Sequence, residues 1–250
     1  MPYDPPMVTD HAVLIAVGVF LAYTLLVGIV WRATGTRYDH LVDSRSHVVR
    51  GIILPIGLGG VLLAIATTWL GWWHAALFEE SRSGPTWVLV VPLLFGLVAL
   101  INIASIDFRS ASARLLPLIL IGTLLVGFSE ELATRGLLVV GLREGGASEW
   151  AVWLITSVLF GLLHAMNALF GQSVRLTLTQ VVAAFFAGTV LYVTLMTTGT
   201  LIVGMILHAL WDFGTLGIVA TQRQQKPVAG VLALVTFVVG IASVWFVVTA

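Results

Sequence analysis

Six ionisable side chains lie in the interior of otherwise apolar segments. Four of them form two pairs, and the members of each pair are spaced to meet on the same helix. The six are Glu130, Glu131, Arg135, His164, His208 and Asp212. Glu131 and Arg135 are four residues apart, as are His208 and Asp212, so each pair shares a helix face. Carboxylates and imidazoles are the side chains that most often transfer protons in catalysis. The pattern therefore predicts acid–base chemistry, with the adjacent glutamates as its most informative element.

The glutamate pair is costly where it stands. An ionisable group deep in hydrocarbon costs about 2.5–3.5 kcal/mol even on lenient insertion scales. Glu130, Glu131 and Arg135 combine three such groups within six residues of one apolar segment. Apolar residues would be more favourable there, which indicates that these side chains are kept for function.

The composition predicts the elements that carry these residues. The 250 residues are 59% hydrophobic and 10% charged, whereas soluble domains carry about 25% charged residues. We therefore expect an all-α polytopic membrane protein, with residues 1–250 forming a single integral membrane domain. Zero net charge without a basic patch argues against nucleic acid as a partner, and the absence of cysteine excludes thiolate sites. Eight segments are long enough to span a bilayer, near 11–31, 51–73, 87–106, 115–141, 150–170, 176–198, 200–220 and 229–249.

The arginines predict the orientation of these spans. One set of alternate loops contains nine positive charges and the other contains only Arg82 and Arg143. The positive-inside rule then places the first, third, fifth and seventh loops in the cytoplasm and both termini outside. Arginine outnumbers lysine eleven to one, which favours a prokaryotic cell membrane as the location.

The polar groups are predicted to meet inside the membrane. At about 1.5 Å per residue, Glu130 and Asp212 each lie roughly 18 Å below the outer end of their spans. His164 lies roughly 21 Å deep and His208 roughly 12 Å. Three helices thus bring their polar groups to overlapping depths, as a shared site requires.

The order of the motifs resembles a known family. Glu130-Glu131-x-x-x-Arg135, Phe160-x-x-x-His164 and His208-x-x-x-Asp212, on successive spans, are similar to those of the CAAX protease and bacteriocin-processing family, which is related to the CAAX prenyl endopeptidase. The resemblance covers about residues 115–215, the expected catalytic core. It implies an intramembrane endopeptidase in which Glu130 and His164 activate a water. It also implies that His208 and Asp212 hold the oxyanion, supported by Glu131, Arg135 and Phe160.

Asp212 departs from the simplest version of that scheme. The family position takes Asn or Asp, and an ionised Asp cannot donate a hydrogen bond to an oxyanion. Asp212 must therefore be protonated or must instead orient His208. We expect it to fix the tautomer of His208 while the imidazole donates.

Two other mechanisms remain open from the residues alone. Glu130, His164 and His208 form a two-histidine, one-carboxylate set that could hold zinc with a water; we expect a metal-free glutamic peptidase without cofactor. Ser129 with His208 would form a serine dyad, although Glu130 stands where a small residue usually follows the serine. A further glutamate pair, Glu79 and Glu80, is interpreted as a solvated loop cluster.

Substrates and competing functions follow from the same residues. The expected partners are membrane lipid and hydrophobic or lipid-modified peptides; in a prokaryote, the family resemblance favours processing of bacteriocins or pheromones over prenylated proteins. Intramembrane carboxylates and imidazoles also form proton relays, so a proton-coupled transporter is the first alternative. A non-catalytic membrane scaffold of the same fold is the second.

Overall fold

The protein is built from helices that cross a membrane. The computed structural model describes residues 11–80 and 84–249. Among these residues the only β-type pairing is an isolated bridge between Phe78 and Thr200. Within these ranges, eight helices are long and apolar enough to span a bilayer. They are α1 (Ala12–Thr34), α2 (Arg45–Leu70), α3 (Thr86–Ile103), α4 (Ala111–Glu144), α5 (Glu149–Phe170), α6 (Val174–Thr198), α7 (Leu201–Ala220) and α8 (Pro227–Val248). The predicted all-α polytopic class and its count of eight spans are confirmed.

The boundaries of the spans differ from the predicted ones by up to six residues. Helix α2 begins at Arg45 rather than near residue 51, because the Ser44 side chain accepts a hydrogen bond from the backbone N–H of His47 and caps the helix start. Helix α4 continues to Glu144 and is the longest span. Arg82 and both chain ends fall outside the described residues, so the orientation of the termini stays a prediction.

Capping residues define where the helices of the site begin. The side chains of Ser148, Ser173 and Thr200 accept backbone N–H bonds at the starts of α5, α6 and α7. The α6–α7 connection is only Gly199 and Thr200, and Gly199 adopts a φ of 75°. That left-handed conformation suits glycine, so the tight turn makes α6 and α7 antiparallel neighbours.

Helix α7 packs closely against both α3 and α4. A Cβ at Gly127 of α4 would overlap the carbonyl oxygen of Met205 and lie 3.1 Å from the Cβ of Ala209. Small residues allow such close approach of helices in membranes. The absence of a side chain at Gly127 therefore brings the polar face of α7 against the glutamate pair of α4.

Two of the site helices are irregular where the polar residues lie. Helix α4 widens into a π-helical stretch, Leu132–Leu138, immediately after Glu131. Helix α5 tightens into a 3₁₀ stretch, His164–Phe170, that starts at the predicted catalytic histidine. Such interruptions of the α-helical hydrogen bonding are frequent at functional sites.

The outer surface of the bundle is apolar. Leu14, Trp69 and Leu93 are each more than 70% exposed, and a soluble protein rarely exposes so much contiguous apolar surface. Lipid tails solvate such side chains, whereas Glu130, Glu131, Arg135 and His208 are buried inside the bundle. The fold thus reserves its interior for the polar site.

Candidate active site

Glu131 is the centre of a buried polar network. Its Oε1 accepts one hydrogen bond from Arg135 Nη1 at 2.9 Å and another from His208 Nδ1 at 3.0 Å. Glu131 and Arg135 are fully buried, so neither charge is compensated by solvent. Glu131 therefore links α4 to α7 and fixes the Nδ1 edge of the His208 ring.

Arg135 is enclosed on all sides by the protein. Its Nη1 also donates to Thr134 Oγ1 at 2.7 Å, and its guanidinium carbon lies 4.0 Å from the centre of the Phe160 ring. A Cβ at Gly188 of α6 would stand 2.7 Å from Arg135 Nη2. Phe160 thus contributes a cation–π contact, and Gly188 leaves the space that the guanidinium occupies.

His208 presents its second ring nitrogen to two carboxylates. A carboxylate such as Glu131 can only accept, which assigns the hydrogen on Nδ1. His208 Nε2 lies 3.5 Å from Asp212 Oδ2 and 4.0 Å from Glu130 Oε2. Glu131, rather than Asp212, therefore holds the tautomer-defining Nδ1 in this structure, and Asp212 faces the opposite nitrogen.

His164 is oriented by its own helix. Its Nδ1 donates to the backbone carbonyl of Phe160 at 3.0 Å, since a carbonyl only accepts. The neutral ring then has an unprotonated Nε2 available as an acceptor. Phe160 makes edge contacts with both His164 and His208, with ring centres 5.4 and 5.5 Å apart, and so fixes the two imidazoles relative to each other.

All four residues predicted to be catalytic line one cavity of about 310 Å³: Glu130, His164, His208 and Asp212. Of the supporting residues, Phe160 also lines it, whereas the fully buried Glu131 and Arg135 do not. The structure thus brings the three motifs together at one site, as the depth estimates predict.

The cavity lining contains a second polar group, Tyr38, Gln180 and Asn167. Asn167 Nδ2 donates to Gln180 Oε1 at 3.0 Å, and Gln180 Nε2 donates to the Tyr38 hydroxyl at 2.7 Å. Burial raises the pKa of Tyr38 to about 12, so that the phenol keeps its hydrogen near neutral pH. These residues lie at the ends of helices that face the first and fifth loops, the side predicted to be cytoplasmic.

The cavity wall also includes buried polar atoms that have no hydrogen-bond partner among the described residues. They include Glu130 Oε2 and the hydroxyl of Tyr23, a residue of α1 that is 1% exposed. Sequence reasoning identified Glu130 but missed Tyr23. A single tyrosine in an apolar first span carries no motif, so no sequence signal could have selected it.

The side chains of the zinc set considered from the sequence have other partners in this structure. Within residues 11–80 and 84–249, no three histidine or acidic side chains are placed to hold a metal ion. His208 directs Nδ1 to Glu131 and Nε2 toward Asp212 and Glu130, and His164 uses Nδ1 on its own backbone.

Ser129, the nucleophile of the serine alternative, has its hydrogen bond elsewhere. Ser129 is fully buried and donates to the backbone carbonyl of Ile56 at 3.3 Å, whereas the Nδ1 of His208 is bonded to Glu131. Glu79 was interpreted as solvated, which is wrong: its side chain is only 8% exposed and pairs with Arg143 at 2.5 Å. Arg143 also binds Glu149, so this cluster ties the end of α4 and the start of α5 to the second loop.

An apolar layer closes the site on the side away from the cavity. The π-helical stretch contributes Leu132, Leu137 and Leu138, which pack in one cluster with Trp72 and Leu201. All five are at most 1% exposed. The polar residues thus face a cavity on one side and a dry, closely packed layer on the other.

Residues 112–214 match the family model described as type II CAAX prenyl endopeptidase Rce1-like. This segment includes the two glutamates, both histidines and Asp212, and the family resemblance read from the motifs is confirmed over it. The family implies a CAAX-type intramembrane protease, hence a peptidase with a peptide substrate in an integral membrane setting. Comparison with curated proteins gave no match.

Proposed function

We propose that this protein is a metal-free intramembrane endopeptidase that hydrolyses hydrophobic or lipid-modified peptides with a water activated by Glu130 and His164. The observation that carries the proposal is the shared cavity, which Glu130 lines together with His164 and His208, and in which Glu130 Oε2 has no hydrogen-bond partner among the described residues. Such a cavity accepts a peptide bond and excludes bulk water, which strengthens electrostatic interactions inside it.

Glu130 is the general base in this scheme. It takes one proton from the water while His164 Nε2 accepts a hydrogen bond from the other hydrogen and fixes the orientation of the water. The water oxygen then bonds to the carbonyl carbon of the substrate, and the carbonyl becomes an oxyanion. Glu130 finally transfers its proton to the amine as the C–N bond breaks, which restores the carboxylate.

His208 stabilises the oxyanion through an Nε2–H donor. Because Nδ1–H already binds Glu131, donation from Nε2 requires the doubly protonated ring. The carboxylates of Glu131 and Asp212 flank this ring at 3.0 and 3.5 Å and stabilise its positive charge. Glu131 and Arg135 act as positioning residues, since neither reaches the cavity.

The apolar walls of the cavity suit hydrophobic side chains, and the polar group Tyr38, Gln180 and Asn167 suits peptide amides. With the first and fifth loops in the cytoplasm, substrates enter from the cytoplasmic side of a prokaryotic cell membrane. Both termini then lie outside. Membrane lipid surrounds the remaining apolar surface.

The test is cleavage of a fluorogenic hydrophobic peptide by the purified protein in detergent. The wild type should cleave it, and His164→Ala should abolish cleavage because the water loses its acceptor. His47→Ala is the matched control, since His47 is exposed. A chelator should leave the rate unchanged. A loss that zinc restores would contradict the metal-free mechanism, and full activity of His164→Ala would contradict the role of His164.

Asp212→Asn is expected to retain most of the activity. The tautomer of His208 is held by Glu131, and the new amide can still pack beside Nε2 and can donate to an oxyanion. The loss in kcat should stay below the about 10²–10³-fold that removal of an oxyanion donor causes. A larger loss, measured in the same peptide assay, would show that the charge of Asp212 is essential to the protonated His208.

A further inference from the structure

We propose that Tyr23 is a further catalytic residue, whose hydroxyl donates a hydrogen bond to the oxyanion beside His208. The inference rests on the proposed peptidase activity and adds a donor from α1, outside the segment that matches the family model. Tyr23 is 1% exposed and lines the same cavity as Glu130, His164 and His208. Its hydroxyl has no partner within the part of the chain that the structure describes.

A buried hydroxyl without a partner is unusual in a folded protein, since the great majority of such groups are hydrogen-bonded. Two other hydroxyls of the cavity lining are hydrogen-bonded although they are less buried: Thr24 donates to the carbonyl of Phe20, and Thr215 donates to that of Trp211. Tyr23 is the exception on this wall. An unpaired donor that faces a reaction cavity is available to a ligand that enters it.

The position of the Tyr23 ring is fixed. A Cβ at Gly59 of α2 would lie only 2.5 Å from Tyr23 Cε2, so the ring packs directly on the α2 backbone at a glycine. The hydroxyl is therefore held in place before substrate arrives. A preorganised donor stabilises developing charge without reorganisation during the reaction.

The chemistry of the site leaves a place for such a donor. Oxyanion holes commonly combine two donors, and here His208 supplies one while an ionised Asp212 supplies none. A phenol remains a neutral donor beside the acidic groups of this cavity. Tyr23 keeps its proton throughout: its O–H shortens its hydrogen bond as the carbonyl oxygen gains charge, and no bond to Tyr23 forms or breaks.

The experiment compares Tyr23→Phe with the wild type in the peptide assay. The variant keeps the ring that packs on Gly59 and loses only the hydroxyl. We expect kcat to fall by about 10²–10³-fold with KM unchanged. The melting temperature in detergent should not decrease, because the lost hydroxyl has no partner in the folded protein.

Tyr192→Phe is the matched control. The Tyr192 hydroxyl donates to Glu149 Oε2 at 2.5 Å, outside the cavity, so this variant should melt at a lower temperature and keep its kcat. A Tyr23→Phe protein with wild-type kcat, or one with a lowered melting temperature and an unchanged rate, would overturn the inference while the peptidase stands. A wild type that cleaves no peptide would overturn the proposed function itself and this inference with it.

Discussion

Glu130→Gln is expected to lower kcat for peptide cleavage by about 10²–10⁴-fold, the contribution typical of a general base. The amide has the shape of the carboxyl but takes no proton from water. The folded state should lose little stability, since Glu130 Oε2 has no hydrogen-bond partner among the described residues and the substitution removes a buried charge. We expect an unchanged or higher melting temperature together with the loss of activity, measured on the same detergent-solubilised sample.

Glu80→Gln supplies the control for this substitution. Its side chain is 71% exposed, in the second loop, and the change should affect neither rate nor stability. If the Glu130→Gln protein cleaved peptide at the wild-type rate, another group would have to be the base. That result would favour the alternative functions, a transporter or a non-catalytic scaffold.

Arg135→Met is expected to destabilise the protein by about 3–5 kcal/mol, the cost of breaking a fully buried ion pair. Both side chains are fully buried, so the carboxylate of Glu131 would be left without its compensating charge. The measurement is equilibrium unfolding in mixed micelles. Arg37→Met is the control, because Arg37 pairs with Asp39 at the exposed surface and should melt like the wild type.

The double variant Glu131→Gln with Arg135→Met separates stability from function. Removing both charges should restore much of the lost stability, since no buried charge remains uncompensated. The kcat should stay low, because a neutral amide at position 131 no longer stabilises the protonated His208. If the double variant were as unstable as Arg135→Met alone, the unpaired carboxylate of Glu131 would not be the cause of the lost stability.

The sequence predicted those parts of the site that depend on local spacing. Apolar length predicted eight spans, and the four-residue spacing placed Arg135 against Glu131 and Asp212 near His208. It could not predict which carboxylate binds His208 Nδ1. That contact joins α4 to α7, and it depends on the close approach at Gly127, which spacing along one helix does not encode.

Other features lack a local signal altogether. Tyr23 lies outside the predicted core of residues 115–215, and its place on the cavity wall depends on how α1 packs against α2. The burial of Glu79 depends on Arg143, which is 64 positions away in the chain. No residue type in Leu132–Leu138 marks the π-helical stretch that follows Glu131.

The dry layer beneath the site has a consequence for the cell as a whole. With the cavity open to the cytoplasm, as the arginine distribution predicts, its carboxylates and imidazoles would carry protons into the membrane. Leu132, Leu137, Leu138, Trp72 and Leu201 pack in one cluster and are at most 1% exposed, and none of these side chains is an acid or a base. We therefore expect this layer to stop further proton transfer, so that a peptidase that uses water at the site does not dissipate the proton gradient.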